Sequence, residues 1–313
     1  MKNKLEIHLH TNYSCNLNCE HCYNESGVNK KVVLPDDFVL TLLQLFCERY
    51  QAEFHLEGGE IFLRPDLLSA MDALSDEVLQ CITITTNGTI RQQDNKVLSM
   101  LRRIGTLRIS VEGHTNEHQR TIRGIDIDRV LDNAKFYLDS GVPVWLRVTL
   151  NQMNQDGFVN LTLPTLQTSG FNNIQVYEFQ RVGRGRRAGI QLALDGSLSK
   201  FLNQLCCYSD LIIGHIKFMF PHRRLQEIKA FENQLVDKQY RVRYLEPEAG
   251  ISIHADGEVF KCAWDNDVIH SLGNIFHLGV EGLFSLLGNT DLMHDCEHCS
   301  AVCIEKPKVT VEC

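Results

Sequence analysis

The sequence has no run of about 18 uninterrupted apolar residues, the length a membrane-spanning helix needs. Its first residues, MKNKLEIHLH, lack the apolar stretch of a secretory signal. A membrane span is therefore not expected, and the chain reads as cytoplasmic. It also lacks an excess of positive charge: 31 Lys and Arg stand against 39 Asp and Glu, a formal net charge of −8. General nucleic-acid binders carry a basic footprint that neutralises phosphates, so no nucleic-acid partner is expected. One local exception is RVGRGRR, Arg181 to Arg187, which reads as a solvated face or as a patch for an acidic peptide.

What is present is a chain of 313 residues with 43% hydrophobic content, enough for one large domain plus a smaller one. Its 12 cysteines are poor disulfide candidates in a reducing compartment and better candidates for thiolate ligands. Short β-rich runs recur at 5–10, 53–58, 81–86, 106–113, 144–150 and 173–179, separated by helix-like segments. In PDDFVLTLLQLFCERY, Pro35 and two aspartates suit a first turn, and Val39, Leu42, Leu43 and Phe46 follow helical spacing. Strands alternating with helices imply right-handed crossovers and a parallel sheet. Six units are too few to close an eight-fold barrel, so the expected fold is α/β, a partial (β/α)6 TIM-like barrel. Chemistry in such folds sits at the C-terminal ends of the strands.

All the unusual loops fall on that rim. Strand one runs into YSCNLNCEHCYN with Cys15, Cys19 and Cys22; strand two into EGGEI, Glu57 to Ile61; strand three into TTNG, Thr85 to Gly88; strand four into SVEG, Ser110 to Gly113. Singly, Gly-Gly and Asn-Gly are ordinary turns. A structural zinc site closes with four ligands, and no second cysteine pair lies near the first loop. Three thiolates suit a [4Fe-4S] cluster whose fourth iron takes no protein ligand. Three unrelated core cysteines are a poor alternative in a loop this polar, with Asn12, Asn16, Asn18, Glu20 and Asn24.

The C-x-x-x-C-x-x-C spacing resembles the signature of the radical S-adenosylmethionine (SAM) enzymes, with His21 in the usual aromatic slot and Tyr23 following. The resemblance covers roughly residues 5–180. It implies a cluster on Cys15, Cys19 and Cys22 that chelates SAM through its open iron. One-electron reduction then yields a 5′-deoxyadenosyl radical. Gly58, Gly59 and Glu60 resemble the segment that holds the methionine amino group. Ser110 and Glu112 resemble the polar pair near ribose or methionine, where the family more often has Asp. Arg123, with Arg120 as the alternative, resembles the arginine that meets the SAM carboxylate. Tyr23, Asn87 and Asn151 are expected on the same rim, the two asparagines reading equally well as turn residues.

The C-terminal third adds GEVFKC, ending at Cys262, and CEHCSAVC with Cys296, Cys299 and Cys303. ISIHADGEVFKC reads as a hairpin turning at Asp256-Gly257. This part resembles the SPASM or shorter twitch extension, which binds auxiliary iron–sulfur clusters. A leading cysteine is missing near Pro247 and the final run is shortened, so one auxiliary [4Fe-4S] cluster is expected on Cys262, Cys296, Cys299 and Cys303. Cys313 is the substitute for Cys303, and tetrahedral zinc is the rival occupant. Expected boundaries are 1–200 for the barrel, 201–245 for a helical linker and 246–313 for the auxiliary domain.

Relatives with this extension mostly act on ribosomally made peptides, which implies a precursor-peptide substrate that is crosslinked or epimerised. An electron donor such as flavodoxin or ferredoxin is implied too. The chain starts almost at strand one, so leader recognition is expected elsewhere, in this chain or in a separate leader-binding protein. A small-molecule dehydrogenase or rearrangement enzyme of the same superfamily is the second reading. A non-catalytic iron–sulfur or zinc scaffold is the third. No catalytic acid or base is chosen.

Overall fold

The computed structural model describes residues 2–194, 198–246, 249–265, 267–293 and 298–307. Six strands lie where the alternation of the sequence puts them: β1 Lys4–His10, β2 Gln51–Glu57, β3 Ile82–Thr86, β4 Thr106–Val111, β5 Val144–Leu150 and β6 Asn173–Glu178. Each pairs in parallel with the next, and helical crossovers connect them. The helix Asp36–Arg49 shows the local logic. Pro35 sits at its N-cap, Asp36 and Asp37 complement the positive end of the dipole, and Val39, Leu42, Leu43 and Phe46 bury one stripe.

The sheet then continues past the expected six strands. The rest are β7 His215–Pro221, β8 Arg241–Tyr244, β9 Gly250–Ile253, β10 Glu258–Phe260, β11 Gly273–Asn274 and β12 Ser300–Lys306. Together they form one open sheet in the order β11-β10-β9-β1-β2-β3-β4-β5-β6-β7-β12-β8. The stretch 201–245 supplies β7, parallel to β6, and β8, and within 246–313 β9 joins β1 in parallel while β12 joins β7 antiparallel. The physical reason is edge satisfaction: an open parallel sheet leaves unpaired N–H and C=O groups at each border, and the C-terminal strands cover both. The new borders are short, and β8 carries Arg241 and Arg243, which discourages edge-to-edge pairing. The expected hairpin is β9–β10, with Gly257 at φ +89° and a Cβ there only 2.5 Å from Phe276.

Alternation divides each strand between two environments. One face is apolar and buried: Leu5, Ile7 and Leu9 on β1, Phe54 and Leu56 on β2, Ile82 and Ile84 on β3, Leu107 and Ile109 on β4, Leu146 and Val148 on β5. The opposite face is polar. Glu6, His8, Glu53, His55, Glu57, Arg108, Arg147 and Tyr177 line an interior cavity of about 720 Å³. The interior of this barrel is thus a lumen and not a packed core. Among the described residues, no helix is long and apolar enough to cross a membrane.

Candidate active site

The cysteine loop leaves β1 and is pinned by backbone hydrogen bonds, Cys15 N–H to Gly27 O at 3.2 Å and Tyr13 N–H to Val32 O at 2.9 Å. Cys15 and Cys19 are buried, Cys22 half-buried. All three border one cavity of about 120 Å³ with Tyr23, Gly58, Gly59, Asn87, Ser110 and Arg123. The Leu17 N–H (3.4 Å) and Asn87 Nδ2 (3.7 Å) both approach the Cys15 sulfur. Burial pushes the Cys15 thiol up to about 12, with Glu60 and the other two cysteines adding to the shift. Burial likewise raises Cys19, opposed by Arg123. Thiols so placed ionise only against a strong positive centre, and a soft iron centre supplies one. The donor set therefore fits a three-thiolate cluster.

The loop after β2 packs directly on this loop. A Cβ on Gly58, at φ +133°, would lie 2.4 Å from Asn12 O, and one on Gly59 would lie 1.9 Å from Ser14 O. Both positions require glycine for the backbones to meet, and both glycines border the cavity. Glu60 does not. Its carboxylate accepts from Phe62 N–H (2.9 Å), Thr86 Oγ1 (2.7 Å) and Asn87 N–H (2.7 Å). The expected ammonium partner is therefore a buried tie between β3 and the glycine loop, a use to which a carboxylate after two glycines is well suited.

Glu112 is also turned inward. It is fully buried and its Oε1 takes Arg123 Nε at 2.7 Å, with His21 Nε2 at 3.1 Å. The adjacent His21 and Arg123 side chains hold its carboxyl below the usual range despite burial. Arg123 itself reaches the cavity, whereas Arg120 is exposed and paired with Asp126. Ser110 borders the cavity directly. Asn151 does not: its Oδ1 accepts from Met153 N–H and its Nδ2 donates to Thr149 O, the work of a turn residue.

Residues 10–159 match the family described as "Radical SAM superfamily". Residues 10–159 are a radical SAM domain. The family implies SAM and a [4Fe-4S] cluster, which the three thiols and their cavity fit. A probable GTP 3′,8-cyclase of Sulfurisphaera tokodaii is 22% identical over 311 residues, 96% of this chain and 93% of that protein. The antilisterial bacteriocin subtilosin biosynthesis protein AlbA of Bacillus subtilis is 26% identical over 305 residues, covering 93% of this chain and 62% of AlbA. Among solved structures, Streptococcus suis SuiB bound to S-adenosylmethionine superposes with a TM-score of 0.67 at 14% identity, covering 95% of this chain and 72% of SuiB. SuiB bound to the precursor peptide SuiA gives 0.67 at 13% identity, with 92% and 67% covered.

The radical SAM site has one anchor that the sequence reading missed. Arg184, inside the basic run, donates from Nε to Cys19 O at 2.9 Å, from Nη1 to Asn18 Oδ1 at 2.6 Å and from Nη2 to Ser26 O at 2.5 Å. Its backbone N–H bonds Cys22 O at 2.9 Å, and a Cβ on the preceding Gly183 would lie 2.0 Å from Tyr23 O. The run after β6 therefore clamps the cysteine loop, and only its outer part is a solvated face. Tyr23, Glu57, Arg147, Tyr177 and Trp264 border both this cavity and the lumen. The Tyr23 hydroxyl donates to Glu57 Oε2 at 2.6 Å.

His8 lines the lumen, and His10 lies two residues on along the same face of β1. Glu6, His8 and His55 bring three potential donor atoms together, but Arg108 donates to His55 Nδ1 at 3.1 Å. The His55 proton then sits on Nε2, 2.9 Å from Glu6, where a metal would need a lone pair. This group is a hydrogen-bonded network.

In the C-terminal segment the sulfurs of Cys262 and Cys299 lie 3.7 Å apart. Cys303 is buried within β12, and Arg243 approaches its sulfur at 3.9 Å. Cys296 and Cys313 lie outside the described residues. Soft thiolates fit either expected occupant. A separation of 3.7 Å matches the edge of a tetrahedron of metal–sulfur bonds about 2.3 Å long around one ion, and is shorter than thiolates on separate irons would adopt.

Proposed function

We propose that this radical SAM enzyme abstracts hydrogen from a peptide and thereby installs a crosslink or inverts a stereocentre. What carries the reading is the continuity of the small cavity at Cys15, Cys19 and Cys22 with a lumen of about 720 Å³, roomy enough for a residue and its neighbours. The likeness to AlbA and the fold shared with peptide-binding SuiB support it. When bound, the cluster and SAM supply a 5′-deoxyadenosyl radical by one-electron cleavage of the sulfonium.

In this reading the chain's own groups bind and orient. Arg123, braced by Glu112 and His21, meets the SAM carboxylate. Ser110 and the Gly58-Gly59 backbone receive the remaining polar groups, Asn87 steadies the Cys15 sulfur, and Arg184 keeps the loop closed. Phe179 and Trp264 help exclude water from the cavity they line. We place one auxiliary metal group on Cys262, Cys299 and neighbouring thiols. An iron–sulfur cluster agrees with the SPASM-like sequence, and the 3.7 Å spacing favours a single tetrahedral ion as a second reading. A second substrate reading, a purine nucleotide, draws on the similarity to GTP 3′,8-cyclases along most of the chain.

The test is anaerobic reconstitution, dithionite reduction and quantification of 5′-deoxyadenosine with candidate precursor peptides or with GTP. A peptide whose mass falls by two, or whose residue changes chirality, supports the proposal. Turnover of GTP alone, with no peptide altered, overturns it.

A further inference from the structure

Of the five residues that border both cavities, Arg147 alone carries a fixed positive charge. Its side chain is 17% exposed, and among the described residues it makes no hydrogen bond; the nearest carboxylate oxygen is Glu57 Oε1, 3.8 Å from Nη1. The other Glu57 oxygen is already taken by Tyr23. The guanidinium lies over the Tyr177 ring at 4.9 Å, and its Nε is buried without a partner. On the neighbouring strand Arg108 faces the same lumen, with one donor committed to His55 and its own Nε buried without a partner. A guanidinium offers five N–H donors, and leaving them unmatched in an enclosed site is costly. Of the other lumen cations, Arg243 is bonded to Glu305 at 3.0 Å, and Lys4, 3.8 Å from Glu53, and Lys261 border the lumen but not the small cavity.

We propose that Arg147, assisted by Arg108, binds a carboxylate of the substrate inside the lumen, so that the modified peptide presents an acidic residue beside the site of hydrogen abstraction. This rests on the peptide reading and deepens it. The planar fork of Arg matches a carboxylate. A polyphosphate matches the lumen less well, since Glu6, Glu53 and Glu57 line it as well and oppose several added negative charges more than a single one.

The test uses anaerobically reconstituted protein saturated with SAM, titrated calorimetrically with N-acetylglutamate methylamide, its glutamine counterpart, and pyrophosphate. The carboxylate should bind at least tenfold more tightly than the neutral glutamine compound and more tightly than pyrophosphate. In Arg147→Met, carboxylate affinity should fall at least tenfold more than SAM affinity does, and Arg108→Met should weaken it about threefold. Equal binding of the charged and neutral compounds overturns the proposal, as does preference for pyrophosphate. A parallel loss of SAM and carboxylate affinity in Arg147→Met assigns the residue to the SAM site and overturns it too. Where a variant fails to fold, the comparison of compounds on the native protein decides. No turnover is read, so failure here counts against this site, and the peptide reading stands or falls by its own assay.

Discussion

Removing the Arg184 side chain should open the cysteine loop without unfolding the barrel. Three hydrogen bonds from its guanidinium end on Cys19, Asn18 and Ser26, all within or just beyond the cysteine triplet. Hydrogen bonds from a charged donor contribute about 1.5–3 kcal/mol when buried, and neutral ones about 1. Arg184 is half-buried, so the lower figure applies, about 1 kcal/mol each and about 3 kcal/mol together. At about 1.4 kcal/mol per decade, that is roughly a hundredfold shift in the loop's opening equilibrium. The assay is anaerobic release of iron to a chelator from protein loaded to the same iron content. Arg184→Ala should release iron about a hundred times faster, and Arg184→Lys, which keeps the charge but loses the fork, should fall between. The melting temperature of the whole chain should change little, because the bonds tie loop to loop. Release within threefold of the native rate would refute the reasoning.

In Gly59→Ala the new methyl meets the Ser14 carbonyl at 1.9 Å, a backbone atom that cannot swing aside; stability should fall by about 1–3 kcal/mol, with lower iron loading, as read by thermal denaturation and iron assay. Glu112→Gln leaves Arg123 and His21 without their buried anion, so SAM affinity should weaken by about tenfold or more, measured by equilibrium dialysis. The variant with Cys15, Cys19 and Cys22 all changed to Ala should retain metal at the C-terminal cysteines: iron with sulfide supports the auxiliary cluster, zinc alone supports the single ion, and no metal rejects both. Burial pulls the His10 imidazole down to about 4, so it stays neutral when folded while the unfolded chain takes up a proton near 6.5. Stability is therefore fully present above 6.5 and lost as pH falls towards 4, by about 2 kcal/mol at pH 5; His10→Gln should flatten denaturation midpoints over that window.

The first six strands were legible because each alternates cleanly between an apolar helix-facing side and a polar lumen side, and the Asp256-Gly257 turn announced its hairpin. β12 was not, because the cysteine of SAVCIEK drew the reading towards ligation, whereas Cys303 lies in a strand paired on both sides. The three-cysteine loop was legible from spacing alone, and the choice of Arg123 over Arg120 agrees with which of them reaches the cavity. Glu60 and Glu112 were harder. A carboxylate on a functional rim can serve a ligand or the backbone, and only the tertiary packing shows that both turn inward. Arg184 was hidden because its partners lie 158–166 residues earlier, a separation that no local pattern encodes. A basic run bounded by glycines looks the same whether it faces solvent or grips a loop.

The pairing of Glu6 with Gly250 has a consequence for how the chain is made. β1 leaves the ribosome about 240 residues ahead of its second neighbour, β9. Until then that border of the nascent sheet is open to any passing strand. Cutting the gene ahead of residue 249 should therefore yield not a smaller working enzyme but an aggregating one, so the two cysteine-bearing regions must be inherited and expressed as a unit.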